Sequence, residues 1–463
     1  MRTRLAGVLA LSWVWVVPSS AAQSLSSPDV GRTAPIYAAE ALAKRLDAYF
    51  APLAATADFS GIIRVERDRR VLIERRYGYA DWEAKRPHDD GTVFAAASIT
   101  KSVLAALLLD LNEEGILALD DAVARHLPVL EGRLGASLDD VLRHRAGLPR
   151  DLPEDLGTDA AADGIARWLA TRPDLLSASG KKAYSNVGYA LLAEVIEAAT
   201  GEPFGLLAER RLLMPAGMTQ SLVTDVAVER LPGGAQPYTA GPSPLGVQAP
   251  VAAVVDVGAS GLVVTVRDLA HWGTALGERR DTALFEGDDP LGSLERGVDE
   301  GLLYLSAQGS LPGYAAGVTV WPDAELTVAY ATNLFNHPVI GIEDILRGIV
   351  HGEAPEPLAP RPPDVALEEA HLSLAGRYEH PAFGPVLIEA DPSGHGMRLT
   401  MPQREAYWSF YLTPIEGGRL HWRAFDTIFE AGLGSAIDAV AWSLRDPERF
   451  SMYRTGSDRG GER

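Results

Sequence analysis

Ser98-Ile99-Thr100-Lys101 sets a hydroxyl and an amine three residues apart. On a helix such side chains stand one above the other, a pairing that suits a nucleophile beside a proton-handling cation or base. The same spacing recurs at Ser179-Gly180-Lys181-Lys182, but in a polar, glycine-containing stretch. The first copy opens a long apolar run, in which Val103, Leu104, Leu107, Leu108 and Leu111 form a wide greasy surface from Ala95 to Leu111. An oxyanion near the first NH groups of such a buried helix gains roughly 0.3 to 2 kcal/mol from the helix dipole. The alternative for Ser98 is a plain helix-capping serine. Tyr184-Ser185-Asn186 precedes a second apolar stretch, Val187 to Thr200, and hangs a phenol and an amide at another helix entrance. Its alternative is a buried tyrosine with an asparagine cap.

Around these residues the chain alternates its periods. Tyr37 to Phe50 repeats apolar residues at helical spacing. Phe59 to Glu66 and Val71 to Tyr77 are β-branched runs joined by Arg67-Asp68-Arg69-Arg70, which predicts a hairpin. The stretch to Thr200 is mainly helical, with Gly201 as its C-cap. Gly277 to Glu300 is acidic and Gly-rich and predicts a surface excursion, after which strands return at Gly317 to Trp321 and Leu326 to Thr332. Ala354 to Pro363 holds five prolines in ten residues, a stiff linker. Beyond it, the short runs Val386 to Ala390, Met397 to Met401, Tyr407 to Leu412, Arg419 to Arg423 and Ile437 to Trp442 predict a small antiparallel barrel or sandwich. Trp408, Trp422 and Trp442 are expected to fill its interior. The division that follows is a leader at 1–22, a catalytic unit at 36–352, a linker at 353–365 and a β domain at 366–456.

The 463 residues, 47% apolar and 22% charged, have ordinary globular composition with ample material for a core. With 42 basic and 62 acidic residues, net −20, the chain repels phosphate backbones, so nucleic acid is not an expected partner. The absence of cysteine removes disulfides, thiolate metal sites and cysteine nucleophiles, so covalent catalysis must use an oxygen or an amine. His144, His271 and the other histidines show no metal spacing and read as structural; no metal or cofactor is expected. Arg2 and Arg4 before Leu5 to Val17, then Ser20 to Ala22, read as a secretory leader cut after Ala22. That apolar run of about 13 residues is short of the roughly 20 that span a bilayer, although a retained anchor is the alternative. A periplasmic or secreted protein without stable membrane insertion is expected.

Over Tyr37 to Gly352 the chain resembles the serine β-lactamase-like group: class C β-lactamases, D-alanyl-D-alanine carboxypeptidases, D-aminopeptidases and β-lactamase-fold esterases. The resemblance rests on Ser98-Ile99-Thr100-Lys101, Val141-Leu142-Arg143-His144-Arg145-Ala146-Gly147-Leu148, Tyr184-Ser185-Asn186, Gly258-Ala259-Ser260-Gly261-Leu262 and Gly309-Ser310-Leu311-Pro312-Gly313-Tyr314, in that order. It implies an α/β (α+β) catalytic domain, with an antiparallel sheet, flanking helices and a helical subdomain, and the site between sheet and helices. By resemblance Ser98 is the nucleophile, Lys101 and Tyr184 handle its proton, Asn186 orients substrate, and the NH groups of Ser98 and Ser310, at the Gly309-Ser310 turn, form the oxyanion hole. A free tyrosine titrates near 10, so base work at pH 7 needs about 4 kcal/mol of help, as from a nearby ammonium. Alternatively a neutral Lys101 takes the proton itself.

The third motif departs from the pattern. Where the group carries Lys or His two residues before the glycine, this chain has Ala307. The loss weakens a β-lactam or D-Ala-D-Ala reading more than a general ester or amide one. The expected function is therefore an exported serine hydrolase acting on an ester or amide of a small molecule or peptide, including one with a D-residue. The alternatives are a β-lactamase or D-Ala-D-Ala carboxypeptidase, and an inactive binding protein on the same fold.

Overall fold

The computed structural model describes residues 39–152, 164–239, 247–248, 256–286, 290–335, 341–355, 362–381, 383–402, 409–425, 427–432, 436–442 and 447–454. The leader at 1–22 lies outside them, and the proline-rich linker is described only at its two ends.

The predicted hairpin is present as β1 (Gly61–Arg67) and β2 (Arg70–Tyr77). These join β3 (Leu294–Asp299), β4 (Leu302–Leu311), β5 (Tyr314–Trp321) and β6 (Leu326–Thr332) in one six-stranded antiparallel sheet, ordered β3-β4-β5-β6-β1-β2. The surface excursion expected at Gly277 to Glu300 is thus corrected. Its second half is the edge strand β3, whose charged residues suit a strand with one unpaired side.

Each face of the sheet buries a different helical layer. α1 (Ala39–Ala55) lays Leu42, Leu46, Tyr49 and Phe50 against Ile63, Val65, Val328 and Tyr330, together with the late helix Ile342–Val350. On the opposite face Ile62, Leu305, Val318 and Ala329 meet α2 (Thr100–Glu113), α3 (Asn186–Thr200) and α4 (Val266–Glu278). Alternation along β1, with Ile62 on one side and Ile63 on the other, follows from the two-residue period of a strand. Every residue from Ile99 to Leu109 is buried, so α2 runs through the interior and meets water only at its C-terminal end. Leu104, Leu107, Leu108 and Leu111 have no exposed surface, and each contributes roughly 1.5–3 kcal/mol by leaving water. The residues at the start of α2 are therefore carried by a buried helix. α3 closes at Gly201, which takes the left-handed conformation (φ 74°) that a C-cap requires.

After the linker eight short strands close into an antiparallel barrel: β7 (Gly376–His380), β8 (Gly384–Ala390), β9 (Met397–Thr400), β10 (Ser409–Ile415), β11 (Arg419–Trp422), β12 (Thr427–Ala431), β13 (Ala436–Trp442) and β14 (Pro447–Arg454). Trp422 is buried in its core with Phe410 and Phe429. Trp408 and the side chain of Trp442 lie outside the described residues. The barrel is fastened to the sheet-and-helix unit by Arg423, whose guanidinium meets Asp58 at 2.7 Å; both side chains are buried.

Candidate active site

The helix that carries Ser98 begins in a strained turn. Ala97 is a non-glycine residue at φ 47°, a conformation that costs of order 1–3 kcal/mol and persists only where its surroundings enforce it. Here the Ala96 N–H donates to the Leu262 carbonyl (2.9 Å), and Thr100 Oγ1 donates to the Ala97 carbonyl (2.6 Å) while accepting from the Leu262 N–H (2.9 Å). Residues 97–99 form a single 3-10 turn that runs straight into α2. Neither helical start uses a side-chain cap, so Ser98 is not the capping serine of the alternative reading.

Its hydroxyl is instead engaged by the two other side chains singled out in the sequence. Ser98 Oγ lies 2.8 Å from Tyr184 Oη, and Lys101 Nζ donates to it at 3.1 Å. Lys101 is fully buried and also donates to the Ala259 carbonyl at 2.9 Å. The Ser98–Tyr184 contact joins two hydroxyls, either of which can donate to the other.

Tyr184 sits one residue before the N-cap of α3. The cap is Ser185, whose Oγ accepts from the Gly188 N–H (2.9 Å) and donates to the Pro149 carbonyl (2.6 Å), so Asn186 is not the cap of the alternative reading. Asn186, freed from capping, donates its side-chain amide to Asp151. The Tyr184 ring is flanked by His144 (centroids 4.6 Å apart, 29° between planes), by the Arg150 guanidinium (4.8 Å to the centroid) and by Lys101 Nζ (5.1 Å). Burial, reinforced by the positive charges of Lys101, Lys182 and Arg150, pushes the His144 imidazole down to about 3.

β4 forms the opposite wall. Leu305, Ala307 and Gly309 share one face of it, and the Ala307 side chain is buried. A Cβ on Gly309 would fall 2.2 Å from the Ala96 carbonyl oxygen and 2.7 Å from the Ser98 nitrogen. Only a residue without a side chain lets the strand come this close to the Ser98 turn. Ser310 follows, paired with Ala315 of β5. Ser98, Tyr184, Asn186, Gly309 and Ser310 are half-buried, so a substrate can reach them. Among the described residues no group of three or more His, Asp or Glu could hold a metal ion, and no helix is long and apolar enough to cross a membrane.

Arg150 escaped the sequence reading, while Ala259 and His144 entered it only inside motifs, with no role at the site. Ala259 acts through its backbone, which leaves no signature in a side chain. Arg150 and His144 lie in an irregular stretch where no periodicity signals direction; His144 was read as structural.

The beta-lactamase family model matches residues 46–349, more than half of the chain. Penicillin-binding protein 4* of Bacillus subtilis (strain 168) is 29% identical over 196 residues, covering 39% of this chain and 41% of that protein. Esterase EstB of Burkholderia gladioli is 32% identical over 239 residues, covering 46% and 60%. The chain thus spans between two fifths and three fifths of the length of these relatives. The octameric penicillin-binding protein homologue from Pyrococcus abyssi superposes with a TM-score of 0.56 at 21% identity, over 89% of this chain and 96% of that one. With a family model that runs from α1 to the helix behind the sheet, the chain belongs to the beta-lactamase family.

Proposed function

We propose that this protein is an exported serine hydrolase that cleaves an ester or amide through an acyl-enzyme on Ser98. The observation that carries this reading is the mutual contact of one hydroxyl, one amine and one phenol: 2.8 Å from Ser98 Oγ to Tyr184 Oη and 3.1 Å to Lys101 Nζ. Ser98 Oγ attacks the acyl carbon as its proton passes to Tyr184 Oη, which acts as a phenolate beside the Lys101 ammonium, and the carbonyl π electrons move onto oxygen. The resulting oxyanion is held by the Ser98 and Ser310 NH groups. Collapse expels the alcohol or amine, which takes the proton back from Tyr184. Water then repeats the sequence on the acyl-serine and releases the acid. Lys101 supplies the positive charge that favours each proton's passage, and Asn186 orients the acyl side. The leader at 1–22 supports export, with mature protein expected to begin at Gln23.

Ala307 favours simple esters and amides, including D-residue peptides, over β-lactams, because no cation projects from β4 towards the serine. The esterase among the relatives is in keeping with that choice. A fluorophosphonate probe tests the assignment: wild-type protein should gain one covalent adduct, mapped by mass spectrometry to Ser98 and lost in Ser98→Ala. An unlabelled wild type would favour an inactive binding protein on this fold.

A further inference from the structure

His144 holds residues 183–185 at two points. Its carbonyl oxygen accepts from the Ala183 N–H at 2.7 Å, and its Nδ1 accepts from the Ser185 N–H at 3.1 Å. Tyr184 is the residue between those two bonds, and its ring stacks on the same imidazole at 4.6 Å. One residue therefore brackets the tyrosine along the backbone and packs against its phenol. Tyr189, on the first turns of α3, backs the imidazole from 5.1 Å and ties itself to the Leu142 carbonyl at 2.9 Å.

The grip works only with a neutral ring. Accepting at Nδ1 requires a lone pair there, which places the ring proton on Nε2; among the described residues that buried nitrogen has no hydrogen-bond partner. Everything charged around the ring disfavours a second proton: Lys101 from α2, Lys182 from the loop before Tyr184, and Arg150 from the segment that follows His144. The remaining ionisable groups against it are the phenols of Tyr184 and Tyr189. Residue 144 itself adopts φ 57°, a left-handed conformation that asparagine and histidine tolerate better than most residues.

We propose that His144 is a positioning residue that fixes the Tyr184 phenol against the Ser98 hydroxyl through its two backbone bonds and its neutral ring. This rests on the role of Tyr184 proposed above. Asn at 144 offers a carbonyl oxygen close to where Nδ1 lies and accepts the left-handed backbone, so it keeps the bond and loses the stack; Ala loses both.

The test is a double-mutant cycle on a p-nitrophenyl ester. His144→Ala should lower kcat by about 30- to 100-fold with KM changed less than about threefold, as expected when a reacting group is misplaced by about an ångström. His144→Asn should recover most of that loss. In a Tyr184→Phe background His144→Ala should cost less than about threefold more, because residues acting through one another do not add. An equal cost in both backgrounds, or a silent His144→Ala beside a crippled Tyr184→Phe, overturns the proposal and leaves Tyr184 in place. A Tyr184→Phe enzyme as active as wild type removes the role of Tyr184 and that of His144 together.

Discussion

Gly309→Ala is the sharpest test of how the strand wall serves the nucleophile. A methyl at this position would sit 2.2 Å from the Ala96 carbonyl oxygen, against the roughly 3 Å that real Cβ atoms require, and 2.7 Å from the Ser98 nitrogen. Both obstacles are backbone atoms of a turn held by hydrogen bonds from Ala96 to Leu262 and from Thr100 to Ala97, so neither can swing away. Strand and turn must part by close to an ångström, which separates the Ser98 and Ser310 NH groups that are proposed to hold the oxyanion. Misplacing one such donor costs about 10²–10³ in rate, or roughly 3–4 kcal/mol of transition-state stabilisation. The expected result is a kcat lowered about 100-fold or more on a p-nitrophenyl ester, with far slower acylation in a pre-steady-state burst. Circular dichroism and thermal melting should show the variant folded. A Gly309→Ala enzyme within threefold of wild-type kcat would mean that strand and turn do not need this proximity, and the oxyanion assignment would fall.

Other expectations follow from the same coordinates. Three buried histidines are held neutral: burial pushes His88 and His144 down to about 3 and His380 to about 4. Because their folded affinity for protons is depressed, the stability they support is fully present above pH 6.5 and lost as pH falls towards 4; at pH 5 each costs about 2 kcal/mol. Urea denaturation at pH 7.5 and pH 5 should show this fall, and His88→Gln should shrink it; a flat profile would contradict the buried-neutral reading. Ser185→Ala removes the cap of α3 and should lower stability by about 1–2 kcal/mol in chemical denaturation, whereas a change below the error of measurement would show the cap idle. With alanine at position 307, nitrocefin turnover should stay at least about 100-fold below the median enzyme rate of about 10 per second; a faster rate would restore the β-lactamase reading.

The hairpin, the buried helix from Ser98, the helix after Asn186 and the all-β unit were legible because each carries a strong period or a clear punctuation mark. The Ser98–Lys101 spacing was legible for the same reason: a helix turns a spacing of three into contact. Edge strand β3 was not, since Glu295, Arg296 and Asp299 give it the composition of a loop. Strands β7, β12 and β14 escaped because short barrel strands alternate too few apolar residues to stand out. The distance from Ser98 to Tyr184, across 86 positions, is a property of packing, and no local pattern encodes it. Ser185 took the cap from Asn186 because a serine Oγ at that position reaches the Gly188 N–H, leaving the asparagine amide free for Asp151.

The Arg423 to Asp58 bond has a practical corollary for anyone shortening the chain. Asp58 sits between α1 and β1, and the rungs Ser310–Ala315, Ala315–Thr332 and Thr332–Gly61 place that junction at the same end of the sheet as the proposed oxyanion donors. Cutting before the barrel would strip the Asp58 carboxylate, buried in the whole chain, of its guanidinium at that rim. A minimal catalytic fragment should therefore carry Asp58→Asn, an uncharged plug for a socket shaped around an ion pair.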